Sequence, residues 1–443
     1  MVDNPTLDRA IARTRRRLVP FLLLMYVLSF LDRANIGFAK DAFQAATGVS
    51  AAAYALGAGL FFLTYAAFEI PSNLIMHRVG AKIWMCRIMV TWGLVSAATM
   101  FVTGENSFYA IRLLLGAAEA GFFPGVILYV TYWFPQAKRG QILGLFYFGA
   151  PLSFILGAPL SGLLLEFHGA FGLEGWQWMF LIEGLLASVV GIWAYWYLDD
   201  KPQDARWMPA DERKALADAI AAEQKAKEGA GHVGLKAAFA NPRILHFVLI
   251  YFLIQMSVYG VIFYLPTQVA ALLGKKVGLE VGLVTAIPWI CAMAATFFLP
   301  RLADQTGAHR MLAAATLAVS GLGIAVSAGS GPAIALVALC FAAAGFIAVQ
   351  PMFWTFPTRY LGGVAAAAGI AFINALGALG GFVAPNVKNW ADASFGAPTG
   401  LYVLAGTTFI GVIAIIALGK ARNPAASVPT GAASTPKARG ARS

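Results

Sequence analysis

Two pairs of charged residues interrupt long apolar stretches of this chain. Asp32 and Arg33 lie within MYVLSFLDRANIGFAK (25–40). An ionisable side chain in hydrocarbon costs about 2.5–3.5 kcal/mol, so it usually faces a cavity or a partner. Adjacent helical residues point about 100° apart, so one of the two can line a cavity while the other reaches a neighbouring helix. We interpret them as functional residues; the alternative is a pair that only fastens helix 1 to its neighbours.

A second pair, Arg112 and Glu119, lies in RLLLGAAEAGFFPG (112–125). Seven residues make nearly two turns, which places the two side chains on one helix face about 10 Å apart. We predict Glu119 near the membrane midplane and Arg112 nearer the outer side. A carboxyl group in a low-dielectric region can load and release a proton. The alternative is an ion pair that packs the helix.

Two further acids occur in apolar stretches. Glu69 lies in AFEIPSN (67–73), close to Pro71, which weakens the helix, and we interpret it as structural. Glu183 has no partner that the sequence identifies.

Four polar or amphipathic residues are weaker candidates. Tyr65 precedes Glu69 by one turn, and Tyr259, Trp354 and Asn374 lie in the second half of the chain. A lone Tyr or Trp in a membrane protein usually packs or lies at the interface. The amide of Asn374 needs hydrogen-bond partners, either on a neighbouring helix or on a substrate hydroxyl.

The composition is that of an integral membrane protein. Of 443 residues, 59% are hydrophobic and 12% charged, against about 25% charged in soluble domains, and the mean hydropathy is +0.71. Apolar segments of about 20 residues can cross the bilayer as helices. We predict twelve: 18–38, 53–76, 82–103, 107–133, 139–166, 176–198, 243–267, 279–302, 310–329, 332–355, 362–387 and 398–419.

Lysine and arginine are distributed very unevenly between the loops. With twelve spans, 26 of the 32 lie on the side of both termini, four on the other side, and two within helices. Positive residues favour the cytoplasmic side, so we predict a multi-pass protein of the bacterial inner membrane with both termini cytoplasmic. This distribution also explains the net charge of +11 without nucleic acid as a partner.

The predicted domains are a cytoplasmic segment (1–17), a six-helix bundle (18–198), a cytoplasmic linker (199–242), a second six-helix bundle (243–420) and a disordered tail (421–443). RTRRR (13–17) precedes a retained first helix. YWFPQAKRG (132–140) and WTFPTRYLG (354–362) share Phe-Pro and a later Gly at one offset. These matches indicate a duplicated unit, which is a transporter design.

Glycine and proline are dense in helices 4, 5 and 11, in the stretches GAAEAGFFPG, GAPLSFILGAPLSG and NALGALGGFVAP. Small residues let helices pack closely, and Gly and Pro also supply bends. The pattern itself does not separate these two uses.

The residue types of common catalytic and metal sites are scattered. The three cysteines and five histidines form no ligand-like spacing, so we expect packing cysteines and no metal, cofactor or catalytic residue. An integral membrane enzyme is therefore a remote alternative.

Four stretches together resemble one family. YVLSFLDRANIGFA, EIPSNLIMHRVGAKIWMCRIMVTWG, RLLLGAAEAGFFPGVILYVTYWFP and WQWMFLIEGL are similar to the anion:cation symporter family of the major facilitator superfamily, over about residues 15–420. Bacterial members include transporters resembling those for galactonate, tartrate, phthalate and 4-hydroxyphenylacetate. The resemblance implies an all-α membrane fold of twelve helices, in two six-helix bundles around a central cavity.

The resemblance also implies roles for individual residues. Asp32 and Glu119 match the proton-coupling carboxylates, and Arg33 matches the residue that binds the substrate carboxylate. Arg112 matches an arginine that interacts with the helix-4 carboxylate and helps couple the two, and we also expect it to lie in the cavity and to bind the substrate. Three further positions match residues that line the substrate cavity: Tyr65, Trp354 and Asn374.

The loop after helix 2 departs from the superfamily pattern. It reads His77-Arg78 where an Asp followed by Arg is usual, and the second-half copy keeps Asp304 but has Gln305. We therefore expect a differently latched cytoplasmic gate.

Together these features predict a monomeric transporter that imports a small organic carboxylate with protons. The carboxylate is expected to be a sugar acid, a tartrate-like hydroxy acid or an aromatic acid. An anion exchanger or facilitator on the same fold is the alternative.

Overall fold

The computed structural model describes residues 4–228, 241–360 and 364–418. Within them, twelve helices are long and apolar enough to cross a membrane, and no strand is present, as predicted. They are numbered 1 to 12 in chain order: Pro5–Thr47, Ala51–Val79, Ala81–Phe101, Glu105–Trp133, Gln136–Leu165, Gly175–Tyr197, Pro242–Ile262, Leu279–Thr306, His309–Gly329, Pro332–Thr358, Gly369–Phe395 and Thr399–Ile416.

Helix 1 is much longer than predicted. The side chain of Asn4 caps its start by accepting from the backbone of Thr6 and Leu7, and Gly48 ends it with a φ of 69°. Its 43 residues span about 65 Å at 1.5 Å per residue, twice the hydrocarbon thickness. Residues 5–17, predicted as a separate segment, therefore continue helix 1, because nothing in the basic stretch before the apolar span interrupts the backbone hydrogen bonds.

Helices 4, 5 and 11, predicted as continuous, are each interrupted near the middle. Helix 4 consists of Glu105–Glu119 and Phe122–Trp133, with Gly121 at a φ of 89°. Helix 5 is interrupted at Phe148 and helix 11 at Leu379. Gly121 and Leu379 fall within two of the glycine- and proline-rich stretches, and Phe148 directly precedes the third. Bends are therefore one use of that composition.

The two halves, helices 1–6 and 7–12, are packed tightly at the face opposite the start of helix 1. Helix 1 meets helix 7 at Gly37, where a Cβ would lie 3.1 Å from the carbonyl oxygens of Ile262 and Phe263. Tyr54 of helix 2 donates to the carbonyls of Ile36 (3.0 Å) and Phe263 (3.3 Å). The halves are therefore closed against each other on this side.

The segment between the halves contains a linker helix, Ala210–Glu228. Its Glu212 forms an ion pair with Arg13 of helix 1 at 2.7 Å, and Glu223 pairs with Arg139 of helix 5 at 2.8 Å. The linker helix is thus held against the first half. Residues 229–240 of the predicted linker, and the predicted tail 421–443, lie outside the described residues.

Candidate functional site

A small cavity lies between the two halves, near the middle of the spans. Its volume is about 30 Å³, which is enough for about two water molecules. An organic acid is larger than this, so the two halves must separate before it can bind. Its wall combines aromatic rings with polar groups from helices 1, 2, 4, 5, 7, 10 and 11: Tyr26, Phe30, Arg33, Phe62, Tyr65, Phe123, Tyr147, Tyr251, Gln255, Tyr259, Gln350, Asn374 and Ala378.

Arg33 supplies the charge on the cavity wall. Its guanidinium is paired with Glu119, with Nη2 at 2.5 Å and Nε at 2.7 Å from Oε1. Ser29 donates to the same oxygen at 2.8 Å. Nη1 contacts the hydroxyl of Tyr259 from the second half at 3.3 Å. The pair is almost fully buried, so each partner keeps the other's charge compensated.

Asp32 points away from the cavity, as its spacing from Arg33 predicts. Trp92 Nε1 donates to Oδ2 at 2.7 Å, and Ser96 Oγ donates to Oδ1 at 2.7 Å, both from helix 3. Asn35 donates to Oδ1 at 3.4 Å. The carboxyl is 1% exposed and has no ion-pair partner in the described part of the chain.

Arg112 and Glu119 interact electrostatically, but the structure gives no direct hydrogen bond or ion pair between them in the described residues. Arg112 donates from Nε to the carbonyl of Gly57 and from Nη2 to that of Ala58, both at 3.2 Å. The two side chains share a helix face, but Glu119 turns toward helix 1 and Arg112 toward helix 2. Arg112 is therefore fixed to the helix 2 backbone, outside the cavity wall.

Glu69 is less isolated than the sequence indicates. It is 0% exposed, and its Oε1 accepts from Asn374 Nδ2 at 2.8 Å. Asn374 lines the cavity, so this bond connects helix 2 to helix 11 directly behind the cavity wall.

Glu183 lies in a second acidic cluster on the far side of helix 1. It accepts from Ser161 Oγ at 2.7 Å and interacts with Asp32 and Asn35. Its Oε2 and the Oδ1 of Asn35 have no hydrogen-bond partner among the described groups. Two acids therefore share a buried region with Ser, Trp and Asn donors.

The remaining candidates divide between the wall and the layer behind it. Tyr65 and Tyr259 line the cavity, and the Tyr65 ring lies 4.9 Å from the guanidinium carbon of Arg33. Trp354, predicted to line the cavity, instead packs behind the wall, with its ring centre 4.9 Å from that of Tyr251. Tyr251 itself lines the cavity.

The sequence interpretation missed several residues of the wall. Gln255 and Gln350 are single amides in apolar helices, and the reasoning applied to Asn374 could have found them. Tyr26, Tyr147 and Tyr251 carried no signal, because aromatic residues are frequent throughout the chain.

The predicted gate residues contact their own halves. His77 Nδ1 lies 2.9 Å from the hydroxyl of Tyr132, and Arg78 is exposed. Asp304 Oδ1 lies 2.8 Å from His309 Nε2. The usual aspartate of the first loop is absent, but Asp200, after helix 6, accepts from the backbone of Lys82 at 2.9 Å and so supplies an acid at the same loop.

No group of three or more His, Cys, Asp or Glu side chains within the described ranges could hold a metal ion. The site consists of aromatic rings, hydroxyls, amides and ion-paired charges. Such a wall can bind a small polar anion once Arg33 is freed.

Comparisons with known proteins agree with this arrangement. Residues 22–385 match the Major Facilitator Superfamily. The chain is 50% identical over 418 residues to the inner membrane transport protein RhmT of Escherichia coli K12, covering 94% of this chain and 97% of the relative. It is 43% identical over 415 residues to a protein of Agrobacterium vitis named "Putative tartrate transporter", covering 93% and 95%.

A solved structure shows the same fold. The xylose transporter XylE from E. coli, in a partially occluded inward-open conformation, aligns with a TM-score of 0.72 at 14% identity, covering 92% of this chain and 98% of XylE. At this identity the similarity concerns the fold. With the family match, the full-length relatives and the twelve spans, the chain belongs to the major facilitator superfamily and is a membrane transporter, not an enzyme.

Proposed function

We propose that this transporter imports a small organic carboxylate together with protons across the bacterial inner membrane. The observation that carries the proposal is the Arg33–Glu119 ion pair in the cavity wall. A guanidinium recognises a carboxylate through paired hydrogen bonds. Here those bonds are taken by Glu119, so a substrate carboxylate and the Glu119 carboxylate compete for one arginine.

Protonation of Glu119 ends its competition with the substrate carboxylate for Arg33. A neutral Glu119 no longer holds Arg33 by charge, and the guanidinium becomes available to the substrate anion. When the proton leaves, Glu119 pairs with Arg33 again and displaces the anion. Anion binding and proton binding are thereby linked at one residue pair.

The charge count supports coupling to protons. In the described spans the buried acids are Asp32, Glu69, Glu119 and Glu183, and the buried arginines are Arg33 and Arg112. With all six ionised the interior carries an excess of negative charge before any substrate enters. Because buried charge must be compensated, a further anion requires protons.

The transport cycle follows from the closed face. In this structure the halves meet at the face opposite the start of helix 1, and we assign that face to the outside from the distribution of Lys and Arg. Opening that side exposes Arg33 to an external anion and protons. Rocking of the halves then opens the cytoplasmic side, where both leave, and an inward proton gradient supplies the drive.

The name of one relative and the residues of the cavity wall support an order among the candidate carboxylates. The name of the A. vitis protein mentions tartrate, and the five tyrosine hydroxyls of the cavity wall suit a hydroxy acid. We therefore place tartrate first, with galactonate, phthalate and 4-hydroxyphenylacetate as the other carboxylates to compare.

The test is uptake by proteoliposomes that contain a pH-sensitive dye. With an inward proton gradient, one of the four acids should accumulate above its external concentration and acidify the lumen. An exchanger would need an internal anion and move no protons, and a facilitator would stop at equal concentrations. Either result contradicts proton symport while leaving carboxylate transport in place.

A further inference from the structure

Glu69 is a buried acid at the contact between the two halves. Its Oε1 accepts from Asn374 of the second half, while its Oε2 is buried without a hydrogen-bond partner among the described groups. Pro71, two residues later, cannot donate a backbone hydrogen bond. Oε1 of Glu69 therefore bonds to the second half, and Oε2 is available to carry a proton.

The charged and titratable groups around Glu69 come from several helices. Helix 1 contributes Arg33, which interacts with Glu69 electrostatically but is bonded to Glu119 of helix 4. Helix 2 itself contributes Tyr65, and helix 7 contributes Tyr259, which contacts Arg33. Helix 11 contributes the neutral Asn374. In the described chain, Glu69 therefore has no ion pair of its own.

The charge balance near the cavity depends on Glu69. Arg33 and Glu119 compensate each other, so an ionised Glu69 leaves an uncompensated negative charge directly behind the cavity wall. This charge repels a carboxylate at Arg33, and the repulsion is strong at low dielectric. When Glu119 alone is protonated, the charges of Arg33 and Glu69 therefore cancel. When both acids are protonated, the net charge of the three residues is positive.

We propose that Glu69 takes up a proton before the anion binds and, through Asn374, ties anion binding to the contact between the halves. This inference rests on the proposed function. In the empty carrier the amide of Asn374 donates to Glu69 and helps hold helices 2 and 11 together. An anion in the cavity can accept from the same amide, which releases that bond. Glu69 is thus a positioning residue that acts through Asn374, and not a residue that touches the substrate.

The first test asks whether Glu69 carries a proton. The full-length protein in lipid nanodiscs is compared with Glu69→Gln by infrared spectroscopy at neutral pH. Glutamine keeps the shape and an acceptor for Asn374. The infrared band from the carbonyl stretches of protonated carboxylic acids should lose, in Glu69→Gln, the component that Glu69 contributes in wild type. It should be unchanged in Glu280→Gln, an exposed acid at the start of helix 8. An identical band in wild type and Glu69→Gln overturns the proposal.

The second test counts protons taken up on binding. Titration calorimetry of tartrate, galactonate, phthalate and 4-hydroxyphenylacetate in buffers of different ionisation enthalpy gives the proton number for each acid that binds. At a pH high enough to ionise Glu69 in the empty carrier, Glu69→Gln should bind with about one proton fewer than wild type and keep its affinity, whereas Glu69→Asp, which retains a carboxyl, should restore the wild-type number. A structural role would change affinity at all pH values and leave the proton number equal, which overturns the proposal.

The two tests separate this inference from the proposed function. Binding of none of the four acids by wild type contradicts the proposed function. The infrared comparison then still decides whether Glu69 carries the proton. Elution of Glu69→Gln as a single symmetrical peak in size-exclusion chromatography establishes that the variant is folded.

Discussion

Glu119 accepts two hydrogen bonds at one oxygen, from Arg33 Nε and from Ser29, and Arg33 Nη2 lies 2.5 Å from the same oxygen. It also lies at the C-terminal end of the first segment of helix 4, where the helix dipole disfavours negative charge. Arg33 compensates for this, so the charge of Glu119 depends on a group that a substrate also needs. In the proposed transport cycle, this dependence links the binding of a proton to the binding of an anion.

The Glu119→Gln variant should lose proton-driven accumulation but keep substrate binding and exchange. Glutamine cannot ionise, so it no longer competes for Arg33 by charge. Proteoliposomes preloaded with unlabelled tartrate, or with whichever of the four acids wild type transports, should exchange it for labelled acid without a gradient. Full gradient-driven accumulation by this variant would show that coupling lies elsewhere.

The Arg33→Ala variant should lose most of its affinity for the carboxylate. A charge-assisted bidentate contact is worth about 1.5–3 kcal/mol, which corresponds to roughly 10- to 150-fold in Kd. Calorimetric titration with the same acid measures the change. Arg112→Lys is the matched control, because Arg112 bonds only to backbone carbonyls in the described chain and lies outside the cavity wall. Equal affinity in Arg33→Ala and wild type would rule out this binding role.

The sequence predicted these residues better than it predicted their partners. Helical spacing correctly separated the directions of Asp32 and Arg33. For Arg112, the spacing placed the side chain on the face of Glu119, but it could not identify the hydrogen bonds to helix 2, because periodicity fixes a face of one helix but not which neighbouring helix lies against it. Glu69 and Glu183 had no partner in sequence because Asn374, Ser161 and Asp32 approach them only after the helices pack.

At the scale of elements, the interruptions of helices 4, 5 and 11 coincide with the cavity. Phe123, Tyr147 and Ala378 line the cavity, each within two residues of an interruption. Discontinuous helices at the midplane are a recurring feature of transporter binding sites. Composition indicated where bends could form, but close packing uses the same residues, so only the packed structure distinguishes the two.

The Gly121→Ala variant should destabilise the protein, because a left-handed backbone costs an alanine about 1–2 kcal/mol and its Cβ would collide with Ser72. Gly144→Ala is the control, since Gly144 is helical and exposed with open space around it, and alanine there should stabilise helix 5 by about 0.5–1 kcal/mol. Thermal unfolding in detergent measures both. A midpoint for Gly121→Ala at or above that of wild type would contradict the role assigned to this turn.

At the scale of the whole molecule, orientation depends on the uneven distribution of charge. The four basic residues on one side are Lys40, Lys275, Lys276 and Lys388, against 26 on the side where helix 1 begins. The fold itself does not distinguish the two faces of the membrane. The assignment of the closed face to the outside therefore rests on this distribution.

Cysteine labelling tests the orientation. In a variant whose three native cysteines are replaced by serine, Lys275→Cys should react with an impermeant maleimide in intact spheroplasts. Lys214→Cys on the linker helix should react only after permeabilisation. Both positions are exposed, so a difference reports sidedness rather than burial. The reverse pattern would place the closed face on the cytoplasmic side and contradict the assigned orientation.

Helix 1 is continuous from its contact with the linker helix to the cavity wall, and Pro20 lies between the two. Arg13 on one side of this proline is anchored to Glu212, and Arg33 on the other side is anchored to Glu119. A proline inside a helix removes one backbone hydrogen bond and permits a kink. Helix 1 can therefore bend between one segment that is fixed to the linker helix and another that carries Arg33 into the cavity wall. A bend at Pro20 would tilt the cavity segment while Arg13 keeps its contact with the linker helix.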